Sequence, residues 1–245
     1  MSHHCLFASN EVERLLTANG LTDLDAAFRL GEPLSGMHEV RASRHQVKRV
    51  VRCVLNDATS QADVYIKRQW RRTRWIPRPA DIRRGIGLKC SPIHEWQGLR
   101  ILQDAGLNVA EPLALFWQGW GFSRGAVVTR AVPARWSIAD MLLGGDLQQM
   151  ASERLGSLIE AAVDVVARLR RARLSWRSMK AKHFYPEEMA NGQWRIWLID
   201  CEGVYPGATE RDCRRDWRRY LGYISARSPS LRDAFLSAYG LATGT

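Results

Sequence analysis

The spacing of apolar residues changes along the chain, and this change limits the possible folds more than any other feature. Residues 62–70 read ADVYIKRQW, in which apolar and polar residues alternate. Alternation of this kind predicts a half-buried β-strand. In residues 152–173, by contrast, apolar residues recur at helical spacing and predict a long amphipathic helix. The chain therefore begins rich in strands and ends rich in helices, and the composition changes near Pro133.

Further strands and helices are predicted before, between and after these two elements. A hairpin is predicted before the strand, over residues 38–45 and 47–57. A helix over residues 91–107 follows, and two further strands are predicted at 113–120 and 125–132. The order is then three strands, one helix, two strands and mostly helix. This is the order of an α+β, bilobal, protein-kinase-like fold, with an antiparallel sheet in the first lobe and helices in the second.

The domain limits follow from these patterns. Residues 1–37 are predicted as a helical extension, with Asn10 as the cap of its first helix. Residues 38–133 form the sheet lobe, and residues 134–245 form the helical lobe. The sheet lobe contains a basic insertion at residues 68–89, which we expect to be an exposed loop because two prolines and two glycines prevent a continuous helix.

The charge of the chain predicts an anionic partner. Lysine and arginine number 36 against 25 acidic residues, for a net charge of +11. Nucleic acid, nucleotides, acidic membrane surfaces and phosphorylated glycolipids all fit this charge. The first residues do not follow the pattern of a signal peptide, and no apolar run approaches the roughly 20 residues of a membrane helix. We therefore expect a cytoplasmic protein.

Three charged residues fall where a kinase fold needs them. Lys67 lies late in the third strand, where an ammonium group can reach the α- and β-phosphates of ATP. Glu95 is the only acidic residue in the first two turns of the following helix, so its carboxylate can orient that lysine. Asp200 ends the apolar strand IWLID, where a carboxylate can hold Mg²⁺.

A further group of polar residues follows the long helix. Residues 176–185 read WRSMKAKHFY and include Ser178, Lys180 and His183. Lys180 is suited to neutralise a phosphoryl group during transfer. His183 by itself would more often be a structural histidine.

Together these segments resemble the lipopolysaccharide core kinases, distant relatives of protein kinases that phosphorylate heptose or Kdo sugars. HEWQGLRILQDAGLNVAEPLALF resembles their glutamate helix and the next strand, WRSMKAKHFY their catalytic loop, and LIDCEGV their metal-binding strand end. The similarity covers most of residues 38–220. Each motif is moderately specific, and their common order makes the resemblance much more specific.

The resemblance implies a role for each of these residues. ATP and Mg²⁺ are the expected cofactors, and the lipopolysaccharide core glycolipid is the expected acceptor at the inner face of the inner membrane. The implied catalytic residues are Lys67, Glu95, Ser178 and Lys180. The implied nucleotide-binding residues are Lys67, His183 and the adenine-binding hinge Ala131, Val132 and Pro133. The implied metal ligands are Asp200 and His183.

Two departures from the family pattern are visible. The HRD triplet of these kinases is WRS here, so Ser178 stands where a carboxylate would accept the proton of the sugar hydroxyl. Glu187, Glu188 and Glu202 are candidates to replace that carboxylate. The segment PLSGMHEV before the strands offers only Gly36 for a phosphate-covering lid.

Two alternatives to an active kinase remain. The first is a pseudokinase, which keeps the fold and acts as a nucleotide- or glycolipid-binding regulatory module. The second is a basic nucleic-acid-binding protein, but it is disfavoured because the chain has no recognised nucleic-acid-binding motif. On the kinase interpretation, the basic insertion and its Trp70 and Trp75 would hold the anionic headgroups or sugar phosphates of the acceptor.

Overall fold

A computed structural model describes most of the chain. The described residues are 3–30, 40–42, 46–56, 61–71, 91–118 and 124–243. The chain divides into two compact units. The first comprises residues 1–97 and 111–131, and the second comprises residues 98–110 and 132–245. The domain limits that were predicted from composition remain a prediction.

The described residues of the first unit form an antiparallel sheet of six strands. In chain order these are β1 (His3–Phe7), β2 (Val40–Ala42), β3 (Gln46–Asn56), β4 (Gln61–Arg71), β5 (Pro112–Gln118) and β6 (Arg124–Arg130). Their order across the sheet is β1-β5-β6-β4-β3-β2. The predicted hairpin of β2 and β3 and the alternating strand β4 are therefore both present in the described residues.

Two short helices, α1 (Asn10–Ala18) and α2 (Leu24–Arg29), cover one face of this sheet. Leu16 and Leu24 are buried with strand residues such as Val51, Ile66 and Phe116 in one apolar cluster. The cluster forms because alternate side chains of β3 and β4 point to the same face. Lys67 therefore lies on the opposite face of β4 from Ile66.

The other face of the sheet carries the helix α3 (Ser91–Asp104). Ile93 and Trp96 of this helix are buried against Leu115 and Val127 of the sheet. These contacts set the rotation of α3 about its axis, because residues three positions apart share one side of a helix.

Two predictions for the amino-terminal segment were wrong. His3–Phe7 form the edge strand β1, which pairs antiparallel with β5, although no strand was predicted there. The first helix is capped by Ser9, whose Oγ accepts a hydrogen bond of 3.2 Å from the Val12 N–H, and Asn10 is the first helical residue. Serine and asparagine are both good caps, so their order in the sequence did not decide the position.

The predicted basic insertion begins later than expected. Strand β4 continues to Arg71, and Arg68 and Gln69 are buried rather than exposed in a loop. The ring of Trp70 packs edge-to-face on Phe28, with centroids 5.7 Å apart. Pairing with β3 and β6 extends the strand through this charged sequence. The remainder of the insertion, with Trp75, lies outside the described residues, as does Gly36.

The second unit is mainly helical. Its helices are α4 (Ile138–Gly144), α5 (Asp146–Gln149), α6 (Ser152–Arg171), α7 (Glu210–Ser225) and α8 (Pro229–Thr243). Its short strands pair as β7 (Leu174–Trp176) with β10 (Val204–Pro206) and β8 (Phe184–Glu188) with β9 (Trp194–Leu198). The predicted apolar stripe of α6 is confirmed, since Leu158, Ile159, Ala162, Val166 and Leu169 are buried in one core. Within the described residues, none of the helices has the length and apolarity to cross a membrane.

Candidate active site

Lys67 and Glu95 form an ion pair within the first unit. The Lys67 Nζ lies 3.0 Å from the Glu95 Oε2. The Glu95 side chain is only 4% exposed and that of Lys67 is 20% exposed, so the pair is largely shielded from water. Lys67 is fixed by the pairing of β4 with β3 and β6, where it lies opposite Val50 and Val127. The burial of Ile93 and Trp96 beside it directs Glu95 toward the sheet.

The loop after β7 carries Ser178. The Trp176 Nε1–H donates a hydrogen bond of 3.0 Å to the Ser178 Oγ. Trp176 is itself buried and stacks on His183 and Phe184. The Arg177 N–H donates to the Gly203 carbonyl at 3.1 Å, which joins this loop to the chain just beyond Asp200. The serine hydroxyl is therefore held by a large buried ring.

Asp216 anchors the same loop, and it was missed in the sequence. Its Oδ2 accepts hydrogen bonds from the Trp176 N–H at 2.9 Å and the Ser175 Oγ at 2.6 Å. Its other oxygen accepts from Arg215, so this buried carboxylate is fully engaged. A signal was available: helical spacing places Asp216 on the buried face of α7 with Trp217 and Tyr220.

His183 and Asp200 are brought together within the second unit. The His183 Nε2 lies 3.3 Å from the Asp200 Oδ2, a close contact that is not aligned as a hydrogen bond. The histidine is buried, whereas the Asp200 side chain is 31% exposed. A solvent-facing carboxylate backed by an imidazole is a suitable place for an ion that also binds phosphate oxygens.

The backbone at Asp200 is in an unusual conformation. Its φ is 57°, in the left-handed region that few residues other than glycine adopt. The preceding strand is fixed on one side, because the Leu198 N–H donates to the Asn108 carbonyl and the Leu198 carbonyl accepts from the Ala110 N–H. Aspartate tolerates this conformation better than most residues, and such positions concentrate at functional sites.

Gly98 of α3 permits a close approach just after Asp200. A Cβ atom at Gly98 would lie 2.0 Å from the carbonyl oxygen of Cys201. No side chain can be accommodated at that distance, so the helix and the peptide after Asp200 are in backbone contact. Gly98 was not predicted from the sequence, because nothing in a helical pattern distinguishes a contact glycine from a tolerated one.

The predicted hinge lies immediately after β6. The Ala131 N–H donates to the Asp63 carbonyl at 2.8 Å, and Pro133 has no N–H. The amide donor of Val132 and the carbonyl groups of the three residues are then the hinge atoms suited to adenine.

The comparisons with known proteins decide the family. The model of the lipopolysaccharide kinase (Kdo/WaaP) family matches residues 46–239, most of the chain. The chain belongs to this family. The predicted family is thereby confirmed, and with it the protein's place among phosphotransferases.

A solved structure of this kinase type confirms the fold. It is the structure of WaaP in complex with acyl carrier protein, which matches with a TM-score of 0.67 and 17% sequence identity. The match covers 96% of this chain and 88% of that chain. The predicted protein-kinase-like α+β fold is therefore correct. No curated protein sequence matched this chain.

Three glutamates were candidates to replace the carboxylate that is absent at Ser178, and the structure places them in different parts of the second unit. The Glu187 Oε2 accepts from the Trp197 indole at 2.8 Å, and Glu188 pairs with Arg154. Both therefore belong to the β8–β9 hairpin and its contact with α6. Glu202 lies one residue before Gly203, where an added Cβ atom would be 3.1 Å from the Ser178 Oγ. Of the three, Glu202 is the one that is adjacent in sequence to a residue packed against Ser178.

Lys180 is exposed and precedes the 3₁₀ turn Ala181–His183. Among the residues that the structure describes, no group of three or more histidine, cysteine or acidic side chains could hold a metal ion. A metal at Asp200 and His183 would thus need further ligands. Phosphate oxygens and water supply them in typical Mg²⁺–nucleotide sites, so the residues present fit this ion.

Proposed function

We propose that the protein transfers the γ-phosphoryl group of ATP to a hydroxyl group on a sugar of the lipopolysaccharide inner core. The observation that carries this proposal is the shielded ion pair of Lys67 and Glu95. A buried glutamate that fixes a strand lysine is the arrangement that kinases use to hold ATP phosphates. Family membership supports the same reaction class.

On this proposal, Lys67 binds the α- and β-phosphates, and Glu95 holds the ammonium group in position. The Val132 amide and the hinge carbonyls of Ala131 and Pro133 bind adenine.

Asp200 would hold Mg²⁺ with His183 behind it. When bound, this ion supplies positive charge that offsets the charge of the phosphate oxygens. The buried imidazole of His183 lies 3.3 Å from this carboxylate. Asp200 lies two residues beyond the end of β9 and has a left-handed backbone conformation.

Ser178 and Lys180 act on the acceptor side. Because Trp176 donates to the serine oxygen, the Ser178 hydroxyl hydrogen is available to orient the acceptor hydroxyl. A serine is not a base at neutral pH, and loss of general-base catalysis costs about 10² to 10⁴ in rate. Phosphoryl transfer depends mostly on positioning and charge, so we expect a slow enzyme rather than an inactive one. Lys180 would offset the charge on the phosphoryl group in transit.

The acceptor is a core glycolipid, which suits a chain of net charge +11. We propose that the protein works at the cytoplasmic face of the inner membrane as a peripheral protein.

Ser178 also supports a second candidate function, that of a pseudokinase that binds nucleotide without turnover. The two candidates differ in one measurable respect. An enzyme transfers phosphate from ATP to the glycolipid, however slowly, whereas a pseudokinase shows only Mg²⁺-dependent nucleotide binding in thermal unfolding.

The decisive experiment is incubation with radiolabelled ATP and dephosphorylated core glycolipid dispersed in detergent. We expect label in the glycolipid with the wild-type protein and none with Asp200→Asn. Equal labelling by both proteins would contradict the assignment of Asp200. Absence of labelling, together with Mg²⁺-dependent ATP binding, would establish the pseudokinase alternative.

A further inference from the structure

One face of α7 is covered by arginine side chains. Arg211, Arg214, Arg218 and Arg219 are exposed on this helix and are called the arginine face below. Their spacing places them on one side of the helix over roughly 12 Å of its length. The opposite side of α7 is buried through Trp217, Tyr220, Leu221 and Ile224. The helix is therefore anchored in the core, and its outer side carries four exposed arginines.

The charge of the arginine face is mostly uncompensated. Arg214 lies 3.2 Å from Glu210, but no acidic side chain within the described residues pairs with Arg211, Arg218 or Arg219. Several other arginines of this unit do pair with acidic residues, as Arg154 does with Glu188. Adjacent like charges on a helix repel one another, so the arginine face does not stabilise the isolated fold. An external anionic partner would explain it.

The shape of this side of α7 indicates which anion. Gly222 continues the face toward the end of the helix, and an added Cβ atom there would meet nothing within 4 Å. Ala226 follows and is exposed. Residues with little or no side chain beside a row of arginines allow the helix to approach a flat partner surface that presents many phosphate groups. Single-stranded nucleic acid is less suited, because this face has no exposed aromatic side chain on which bases could stack.

We propose that the arginine face docks the protein on an anionic lipid bilayer, an inference that rests on the proposed function at a membrane glycolipid. Guanidinium groups bind lipid phosphates in a bidentate manner. Asp216 of the same helix accepts the hydrogen bond of the Trp176 N–H. Docking through α7 therefore orients the loop that carries Ser178 with respect to the bilayer.

The test is sedimentation of the full chain with lipid vesicles, without ATP or acceptor. The variant is Arg211→Gln/Arg218→Gln/Arg219→Gln, in which glutamine keeps the helix propensity. The matched control is Arg14→Gln/Arg29→Gln/Arg100→Gln, which removes the same charge from exposed arginines on other helices. Vesicles contain phosphatidylglycerol and phosphatidylcholine in equal parts, or phosphatidylcholine alone. Thermal unfolding verifies that both variants are folded.

Each arginine near an anionic leaflet contributes about 1 kcal/mol, so we expect the α7 variant to partition roughly 100-fold less onto anionic vesicles. The control should change by less than about threefold at an ionic strength of about 0.1 M, and neither protein should sediment with phosphatidylcholine alone. An equal loss in both triple variants would show that only net charge matters and would overturn the docking face. Loss of oligonucleotide binding with unchanged vesicle binding would assign the face to nucleic acid instead.

This result is separate from that of the labelling experiment. With acceptor dispersed in detergent, the α7 variant should label the glycolipid as the wild-type protein does, and with acceptor in vesicles it should label less. A wild-type protein that sediments through α7 but labels no glycolipid would refute the proposed enzyme and retain the docking face. A protein that labels glycolipid but does not sediment with vesicles would support the proposed enzyme and refute the docking face.

Discussion

Two regions of the molecule differ in how many residues of the kinase pattern they contain. One is the ion pair of Lys67 and Glu95, and the other is the loop of Trp176 and Ser178. The first has both charged members of a kinase pair, shielded and 3.0 Å apart. The second has the loop's anchor, Asp216, but a serine in place of the carboxylate. The groups expected to handle phosphate are thus complete, while the group expected to accept a proton is replaced. In a reaction with a loose transition state, the first set matters more than the second.

The largest effect is expected from Lys67→Met. Removing this positive charge should lower phosphoryl transfer by about 10² to 10³, as loss of a key transition-state contact does. Lys48→Met is the matched control, because the Lys48 Nζ also contacts α3, at the Ser91 Oγ. Steady-state kinetics on both variants compare the two positions. Undiminished phosphoryl transfer by Lys67→Met would show that the ion pair of Lys67 and Glu95 is not part of the active site.

The next effect concerns metal dependence. Asparagine adopts the left-handed conformation at least as readily as aspartate, so Asp200→Asn should keep the backbone of this turn. With nucleotide at about 100 times its dissociation constant, the wild-type protein should gain about 2.7 kcal/mol of stability that requires Mg²⁺. The variant should lose that requirement, and Asp233→Asn should retain it. Calorimetry with and without Mg²⁺ measures the difference, and an unchanged metal response would contradict the role of Asp200.

Ser178→Asp tests the proton-accepting side directly. If the missing base limits the rate, the carboxylate should raise transfer by about 10² or more. The gain should disappear as the pH falls below the pKa of the new carboxyl group, because only its ionised form accepts a proton. Ser178→Asn has a similar shape without a base and should show no gain. Equal rates for the two variants would mean that proton removal does not limit this protein.

The smallest effect is a change in stability at Gly98. Gly98→Ala would force a Cβ atom against the Cys201 carbonyl, and overpacking of this kind costs typically 1–3 kcal/mol. Gly156→Ala is the control, since it lies within α6 with nothing within 4 Å of the added atom. It should stabilise the protein by about 0.4–1 kcal/mol. Denaturant unfolding of both variants tests the contact, and a neutral Gly98→Ala would contradict it.

Much of the fold was predictable because its patterns are regular. The alternation in β4 and the apolar stripe of α6 each have one structural explanation, and both elements are present. Strand β1 was not predictable, because its side chains are mostly exposed and it is held by backbone pairing with β5. The buried Arg68 was also missed, since pairing on both sides extends β4 into a sequence whose charge suggested a loop.

The candidate site was predictable where residue type and position agree. Glu95 was identified because it is the only acidic residue near the start of its helix, and the structure places it beside Lys67. Asp216 was missed because the surrounding arginines hide an acidic residue on the apolar side of α7. The contact at Gly98 depends on tertiary packing that no local pattern encodes. The roles of these residues in catalysis remain predictions.

The backbone at Asp200 also limits how this protein can diverge. Only glycine, asparagine and aspartate occupy such a conformation at little cost. If Asp200 binds Mg²⁺ as proposed, a descendant without that role would most readily carry asparagine or glycine at this position, because an alanine or a branched residue would distort the turn as well as remove the charge. The main-chain conformation would thus limit which inactive relatives can still fold.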